Sequence, residues 1–315
     1  MKHTKITILG AGHVGSHCAL SLALRGAADE IVLVDTVPEK AAAQALDVSD
    51  GLAFSSRPVT VRAGGYADST DADIVVVAIG KPRMPGQTRL DLLDDSARMI
   101  RTLLGQLAPF SLSGIVVSIT NPADVVADAL RKGLGLPRQR VFGTGTLLDT
   151  ARLVRILSEE SGLARASIQA LSLGEHGDSS MIPFSQVRLG GLPFTAYPGL
   201  DRERILRRTR QAGMEVIEGK GSTEFGIGQV LSQLCQSILT DEKRVFPLSV
   251  LLEGEYGQHD VHCGVPCRVG RQGIEEIVSL PLTEEELAQL DHSCRILRQA
   301  IAKAEKAAGE PAARP

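Results

Sequence analysis

KITILGAGHVG, running from Lys5 to Gly15, decides the fold of this chain. A short β-rich run, Lys5–Leu9, passes directly into Gly10, Gly12 and Gly15 in G-x-G-x-x-G spacing. A helical pattern, Ser16–Arg25, follows, and then a second strand pattern, Glu30–Val34, ending in Asp35. An acid about 20 residues beyond the last glycine completes the dinucleotide-binding fingerprint. Gly10 permits the tight turn, Gly12 lets the backbone approach a pyrophosphate, and Gly15 allows the helix to pack on the strand. The pyrophosphate would sit on the positive end of the helix. Asp35 would bond the adenine ribose hydroxyls and repel a 2′-phosphate, which selects NAD over NADP.

Outward from this segment the pattern repeats. Further strands are expected at Val59–Ala63, Asp73–Ile79 and Gly114–Ile119, with helices at Glu39–Asp47, Leu92–Leu107 and Ala123–Arg131. Strands as uniformly apolar as IVVVAI, with helices between them, belong to a parallel sheet covered on both faces. The rhythm changes near Val141. A long amphipathic helix, Leu147–Ser161, precedes SIQALSLGEHGDSS, strand-like SQVRLGGLPF, and two helices separated by GKGSTEFGIG. Val245–Leu280 reads as antiparallel strands with Gly254, Gly257, Gly264, Gly270 and Gly273 as turn signals. Thr283 caps a last helix through a T-E-E-E capping box closed by Glu286. The expected class is α/β: an N-terminal doubly wound parallel (Rossmann) sheet over residues 1–141 plus a C-terminal α+β substrate domain over 142–308. A frayed tail is expected over residues 309–315, and no linker marks the boundary between the halves.

Composition narrows the function. The 315 residues are 43% hydrophobic and 23% charged, the balance of a globular chain rather than a disordered or collagen-like one. The longest apolar run, Ile74–Ile79, is far short of the roughly 20 residues that span a bilayer. The first strand begins at Lys5, leaving no room for a signal peptide, so a cytoplasmic location and no membrane partner are expected. A net charge of −3 gives no footprint for nucleic acid. The basic stretch RERILRRTR (Arg202–Arg210) is mixed with Glu203 and reads as a solvated helix face. Cys18, Cys235, Cys263, Cys267 and Cys294 read as reduced structural thiols, and no metal site is expected because no second Cys pair or His pair accompanies Cys263 and Cys267.

Four segments carry chemistry beyond the strand ends: GKPRMPGQTRL with Arg83 and Arg89, ITNPAD with Asn121, TLLDTAR with Asp149 and Arg152 three apart on one helical face, and GEHGDS with His176. In this order and spacing, together with the glycine fingerprint, they resemble the L-lactate/malate dehydrogenase family, nearly end to end.

The resemblance implies a role for each residue. His176 would exchange a proton with the substrate oxygen, Asp149 would orient the imidazole and favour its charged form, and Arg89 would polarise the carbonyl. Arg152 would hold the substrate carboxylate in a bidentate fork, with Asn121 and Thr223 completing the substrate site. Val14, Tyr66, Gly80, Ile119 and Asn121 would join Gly10, Gly12, Gly15 and Asp35 around NAD. The Pro/Gly-rich loop would close as a lid that excludes water. The implied partner is a 2-hydroxy or 2-keto acid, and the implied assembly a homodimer or homotetramer.

The side chain of that acid is read from Arg83, six residues before Arg89. Malate enzymes of the family carry Arg there, to pair the second carboxylate of oxaloacetate, and lactate enzymes an uncharged residue. Gln87, where lactate enzymes commonly have Glu, points the same way, whereas Thr223 resembles the lactate type. The charge argument favours malate, with lactate as the alternative and another polar L-2-hydroxy acid still open. Fructose 1,6-bisphosphate activation is not expected, because Val154 and Gln169 replace the cations of enzymes that respond to it. An NAD-dependent glycosidase would need a Cys/His metal constellation. A catalytically idle NAD-binding protein would have no reason to keep Arg89, Asp149, Arg152 and His176 together.

Overall fold

A computed structural model of the chain describes residues 3–80 and 89–309. The first half is built from β1 (Lys5–Leu9), α1 (His13–Arg25), β2 (Glu30–Val34), α2 (Pro38–Gly51), β3 (Thr60–Ala63), β4 (Ile74–Val77), α3 (Arg89–Leu107), β5 (Ile115–Ser118), α4 (Ala123–Leu134) and β6 (Val141–Gly143). The second half follows as α5 (Leu147–Ser161), β7 (Ile168–Gln169), β8 (Arg188–Leu189), β9 (Leu192–Pro193), α6 (Arg202–Lys220), α7 (Phe225–Leu239), β10 (Arg244–Glu253), β11 (His259–Gly270), β12 (Gly273–Ile277) and α8 (Glu284–Gly309).

Within a nine-stranded sheet the first six strands lie in the order β3-β2-β1-β4-β5-β6, all parallel. This is the expected doubly wound sheet, and the order reverses between β1 and β4, where such sheets take their ligands. The apolar runs are explained by burial on two faces. Ile74, Val76, Ile115 and Val117 pack into the cluster that holds Cys18, Leu22 and Leu231. Val75, Val77 and Val116 point the other way, against Ile100, Leu103 and Leu130. Each such side chain, taken fully out of water, contributes about 1.5–3 kcal/mol.

The second half adds the antiparallel ladder β10-β11-β12 to the same sheet, through Ser249 of β10 opposite Gly143 of β6. The boundary expected after residue 141 therefore falls inside a strand shared by both halves. Helix α7 also reaches back onto α1: a Cβ on Gly228 would stand 2.7 Å from the Ser21 hydroxyl, and Arg25 Nε donates to Ser232 Oγ at 3.0 Å. A third cluster, including Leu153, Ile156, Leu189, Phe194 and Ile205, joins α5 and α6 to the small sheet β7-β8-β9.

Two expectations need correction. The strand-like SQVRLGGLPF is strand only in the two-residue elements β8 and β9, because Gly190 and Gly191 both take positive φ and turn the chain at once. Gly264 is not a turn residue. It lies within β11, where a Cβ would meet both Gly174 O and Thr146 Oγ1 at 2.7 Å. The capping box of α8 forms as read: Thr283 N–H donates to Glu286 Oε2 and Glu286 N–H to Thr283 Oγ1. All five cysteines are buried and free, and burial pushes the Cys18 thiol up to about 12. No helix among the described residues is long and apolar enough to cross a membrane.

Candidate active site

The cofactor end is set by the glycine turn. A Cβ on Gly10 (φ +109°) would stand 2.5 Å from the carbonyl oxygen of Ala78, and one on Gly15 would stand 1.9 Å from that of Gly10. Both glycines are required by the protein's own packing. Gly12 is different: the only atom within 4 Å of its Cβ position is Lys40 Nζ, at 3.9 Å. That open space lies before the first turn of α1, which has neither a side-chain cap nor an acidic residue. Unpaired N–H groups and the positive end of the helix dipole thus face a space suited to a phosphate.

Asp35, at the end of β2, accepts from Ala11 N–H at 2.8 Å and Val37 N–H at 3.1 Å, with Lys40 Nζ at 3.4 Å. Burial alone would raise its pKa; these two N–H groups and Lys40 more than offset that and lower it. The half-buried Tyr66 is close enough to Asp35 that its own pKa is raised by burial and by that charge. Val14 and Ile119 are partly buried against the core, while Gly80 has nothing within 4 Å of a Cβ. These residues fit an NAD whose adenosine end meets Asp35 and whose pyrophosphate meets the α1 terminus.

The chemical end is assembled from three separate segments. Thr144 N–H donates to Ser118 O, and Thr146 Oγ1 to Ser172 O at 2.5 Å, fixing the start of α5 against the segment before GEHGDS. Asp149, in the first turn of α5, then faces the GEHGDS loop, and its Oδ2 lies 2.6 Å from His176 Nδ1. Its other oxygen accepts from Arg152 Nη1 at 3.0 Å. Burial opposes ionisation of Asp149, but His176 and Arg152 outweigh it and hold the carboxyl below its usual range. The Asp149 charge, in turn, raises the pKa of His176 despite burial. His176 keeps 23% of its side chain exposed, Asp149 10% and Arg152 13%, so the imidazole is the group of the three most open to an incoming molecule.

Thr223 sits before α7, whose Gly226 meets Leu148 (a Cβ would be 2.9 Å from its Cδ1), so that this turn packs on the start of α5. Asn121 is exposed at the end of β5, and its carbonyl accepts from Ser96 Oγ at 3.1 Å. Arg89 is the first residue of α3. Arg83, Gln87 and the tail from residue 310 lie outside the described residues. Among the described residues there is no group of three or more His, Cys, Asp or Glu arranged to hold a metal.

Two residues of this site were given no role by the sequence reading, although the first closes the ITNPAD segment. Asp124, 2% exposed in the first turn of α4, accepts His176 N–H at 3.0 Å through Oδ2. Its Oδ1 is unpartnered among the described residues: the Ser249 hydroxyl is near enough to favour its ionised form but lies outside hydrogen-bond geometry. Gly213, inside α6, is the second. A Cβ there would stand 3.0 Å from Arg152 Nη1, so the glycine lets α6 lie against the guanidinium. A glycine in a helix interior costs about 1 kcal/mol relative to alanine, and that cost was the available signal.

The sequence model of the lactate/malate dehydrogenase NAD binding domain matches residues 4–143, and that of the family's alpha/beta C-terminal domain matches 146–308. The chain belongs to the lactate/malate dehydrogenase family. It is an NAD-dependent oxidoreductase acting on a CH–OH group. It is 40% identical over 307 residues to L-lactate dehydrogenase 1 of Bifidobacterium longum, covering 95% of this chain and 97% of that one. To L-lactate dehydrogenase of Fusobacterium nucleatum it is 40% identical over 305 residues, covering 94% and 96%. Among solved structures, a lactate dehydrogenase from a Medee basin deep-sea metagenome library matches with a TM-score of 0.92 at 35% identity, covering 97% of this chain and 100% of that one. The minor L-lactate dehydrogenase of Enterococcus mundtii in its ligands-bound form also gives 0.92, at 34% identity, with 96% and 98% covered.

Proposed function

We propose that this family member is an L-lactate dehydrogenase that interconverts pyruvate and L-lactate with NADH and NAD. The 2.6 Å contact between His176 Nδ1 and Asp149 Oδ2 carries the mechanistic reading. With Nδ1 committed to the carboxylate, Nε2 is the nitrogen left to meet a substrate oxygen. During reduction His176 gives its proton to the ketone oxygen, and during oxidation it takes the hydroxyl proton back. NADH, when bound, supplies the hydride. Asp149 sets the ring's orientation and stabilises the imidazolium that must be present before reduction. Arg152 holds the substrate carboxylate. Arg89, at the start of α3, polarises the carbonyl as negative charge develops, and Asn121 helps hold the oxygen.

Lactate is preferred to the malate expected from Arg83 because relatives about 40% identical over nearly the whole chain are named L-lactate dehydrogenases, and Thr223 agrees with that type. Malate remains as the second reading on one observation, the Arg83 side chain, whose guanidinium suits a second carboxylate. Under the lactate reading the Arg83 guanidinium has no second carboxylate to pair, and burying it unpaired would cost several kcal/mol. Assembly into a homodimer or homotetramer is what the family resemblance implies.

The test is NADH oxidation by purified protein with pyruvate and with oxaloacetate, compared as kcat/KM. A preference for pyruvate of about tenfold or more, the worth of one well-placed contact, is expected. A preference for oxaloacetate of that size overturns the lactate reading in favour of malate.

A further inference from the structure

His176 is held from below as well as from the side. Its own N–H is taken by Asp124 of α4, and the N–H of the preceding residue, Glu175, donates to the hydroxyl of Ser293 on α8 at 2.7 Å. Ser293 has no exposed surface and comes from a part of the chain 118 residues away. Its Oγ also lies 3.0 Å from Ser179 Oγ, where either atom could be the donor. Proton counting settles the direction. Ser179 Oγ donates to Glu175 Oε2 at 2.5 Å, and a hydroxyl has one hydrogen. The Ser293 hydrogen therefore points at Ser179, and Ser293 accepts from the Glu175 backbone.

The result is a closed ring with one polarity: Glu175 N–H to Ser293, Ser293 O–H to Ser179, Ser179 O–H back to the Glu175 carboxylate. Each bond polarises the next in the same sense, as in a hydrogen-bonded chain. The surrounding backbone leaves the ring no slack. A Cβ on Gly174 would stand 2.6 Å from Ser293 Oγ, and Gly174 exchanges two backbone hydrogen bonds of 2.9 Å with Gly264 of β11. Without the ring, the backbone of Glu175 and His176 would be held at one N–H instead of two, and the direction of the His176 side chain would be freer.

We propose that Ser293 is a positioning residue for His176, acting through the hydrogen-bond ring it closes between the backbone and the carboxylate of Glu175. The inference rests on the reading of His176 as the proton donor. It adds that the last helix of the chain, which touches none of the reacting groups, sets the aim of the imidazole.

The test compares S293A, S179A, the double variant and H176N. Measured for each are kcat/KM for keto-acid reduction against pH, NADH affinity from its own fluorescence, and Tm. Among the described residues the charges that act most on His176 are Asp149 and Arg152 on α5 and Asp124 on α4, with Glu175 and Asp178 beside it in its own loop, and all four variants leave these in place. S293A is expected to lower kcat/KM about tenfold, the usual effect of losing a buried hydrogen bond, and to move the alkaline limb of the profile to lower pH as the imidazole drifts from Asp149. NADH affinity stays as in the parent. Because the two serines act as one unit, the double variant loses no more than the worse single variant. A lower Tm with unchanged kcat/KM and an unmoved limb would make Ser293 a structural anchor only and overturn the inference. Additive losses would overturn the ring. Full turnover in H176N would remove the proton-donor reading and the inference with it, whereas inactive H176N beside parent-like S293A and S179A would remove the inference alone.

Discussion

The Asp124 carboxylate takes the backbone N–H of His176 through one oxygen and leaves the other without a hydrogen-bond partner among the described residues. Burial raises its pKa to about 6, against the lowering effects of Ser249, the His176 N–H and the His176 charge. A carboxyl with a raised folded pKa holds its proton better folded than unfolded. Its ionisation therefore subtracts stability as pH rises from about 4 to above 6, by about 3 kcal/mol in the limit.

D124N removes that penalty and also a negative charge beside the imidazole. We expect a higher Tm than the parent at pH 8, with the difference vanishing near pH 4. We also expect keto-acid reduction at pH 8 to fall about tenfold, as a charge-assisted hydrogen bond becomes a neutral one. Thermal melts at the two pH values, with rates at pH 8, check both. A variant less stable at pH 8 than the parent would show that the ionised Asp124 stabilises the fold after all.

The pH dependence of catalysis follows from Asp149. Its charge raises the pKa of His176, so the protonated imidazole persists above the ordinary histidine range. Reduction needs that proton: kcat/KM should be flat at low pH and fall as pH rises through the raised value, while oxidation rises over the same interval. The stability from the pair has the same sign, complete below the unfolded histidine pKa of about 6.5 and lost above the folded one. D149N should slow reduction at neutral pH by about 100-fold or more and shift the limb to lower pH. Rate–pH profiles in both directions would reveal an unshifted limb, which would remove Asp149 from its role.

Asp35 would have two tasks: its Oδ2 accepts Ala11 N–H in the glycine turn, and its charge would also meet the adenine ribose of a bound NAD. D35S keeps a short acceptor and removes the charge. NADH should bind about tenfold more weakly, and discrimination against NADPH should narrow because the charge repelling a 2′-phosphate is gone. Titration with both nucleotides tests this; unchanged discrimination would place the ribose elsewhere.

Arg83 separates the two candidate substrates. If its side chain stays solvated over pyruvate, R83Q should leave pyruvate reduction within about twofold, whereas any oxaloacetate turnover falls tenfold or more with the loss of the carboxylate partner. Steady-state kinetics with both acids on parent and variant give the answer. A tenfold loss with pyruvate would mean that Arg83 aids the smaller substrate in a way its charge does not explain.

Much of the fold was legible because local pattern and global need coincide in it. In KITILGAGHVG, Gly15 is demanded by the Gly10 carbonyl five residues before it and Gly10 by the Ala78 carbonyl just beyond β4, and α5 occupies the predicted Leu147–Ser161. His176, Asp149 and Arg152 were readable as motif residues, and the fold brings them together. Gly264 was misread because a glycine inside a strand and a glycine at a turn look alike in sequence. What distinguishes it is the close approach of Gly174 and Thr146. Asp124, although it closes the ITNPAD segment, was given no role, and Ser293 was missed, for a related reason. Their partners lie 52 and 118 residues away, and neither periodicity nor spacing reports a hydrogen bond to a distant backbone N–H. Arg83 shows the opposite limit: its identity is plain, but the substrate it meets depends on where its side chain points.

The place where β6 meets β10 bears on the fate of incomplete chains. A fragment ending at Gly143 would contain the whole cofactor fold yet leave β6 as a bare margin, uncovered where Ser249 now closes it. Unpaired margins of this kind recruit strands from other molecules. A stalled ribosome or a protease cut in the second half would then yield a sticky remnant in place of a smaller nucleotide binder, and the cell would have to clear it.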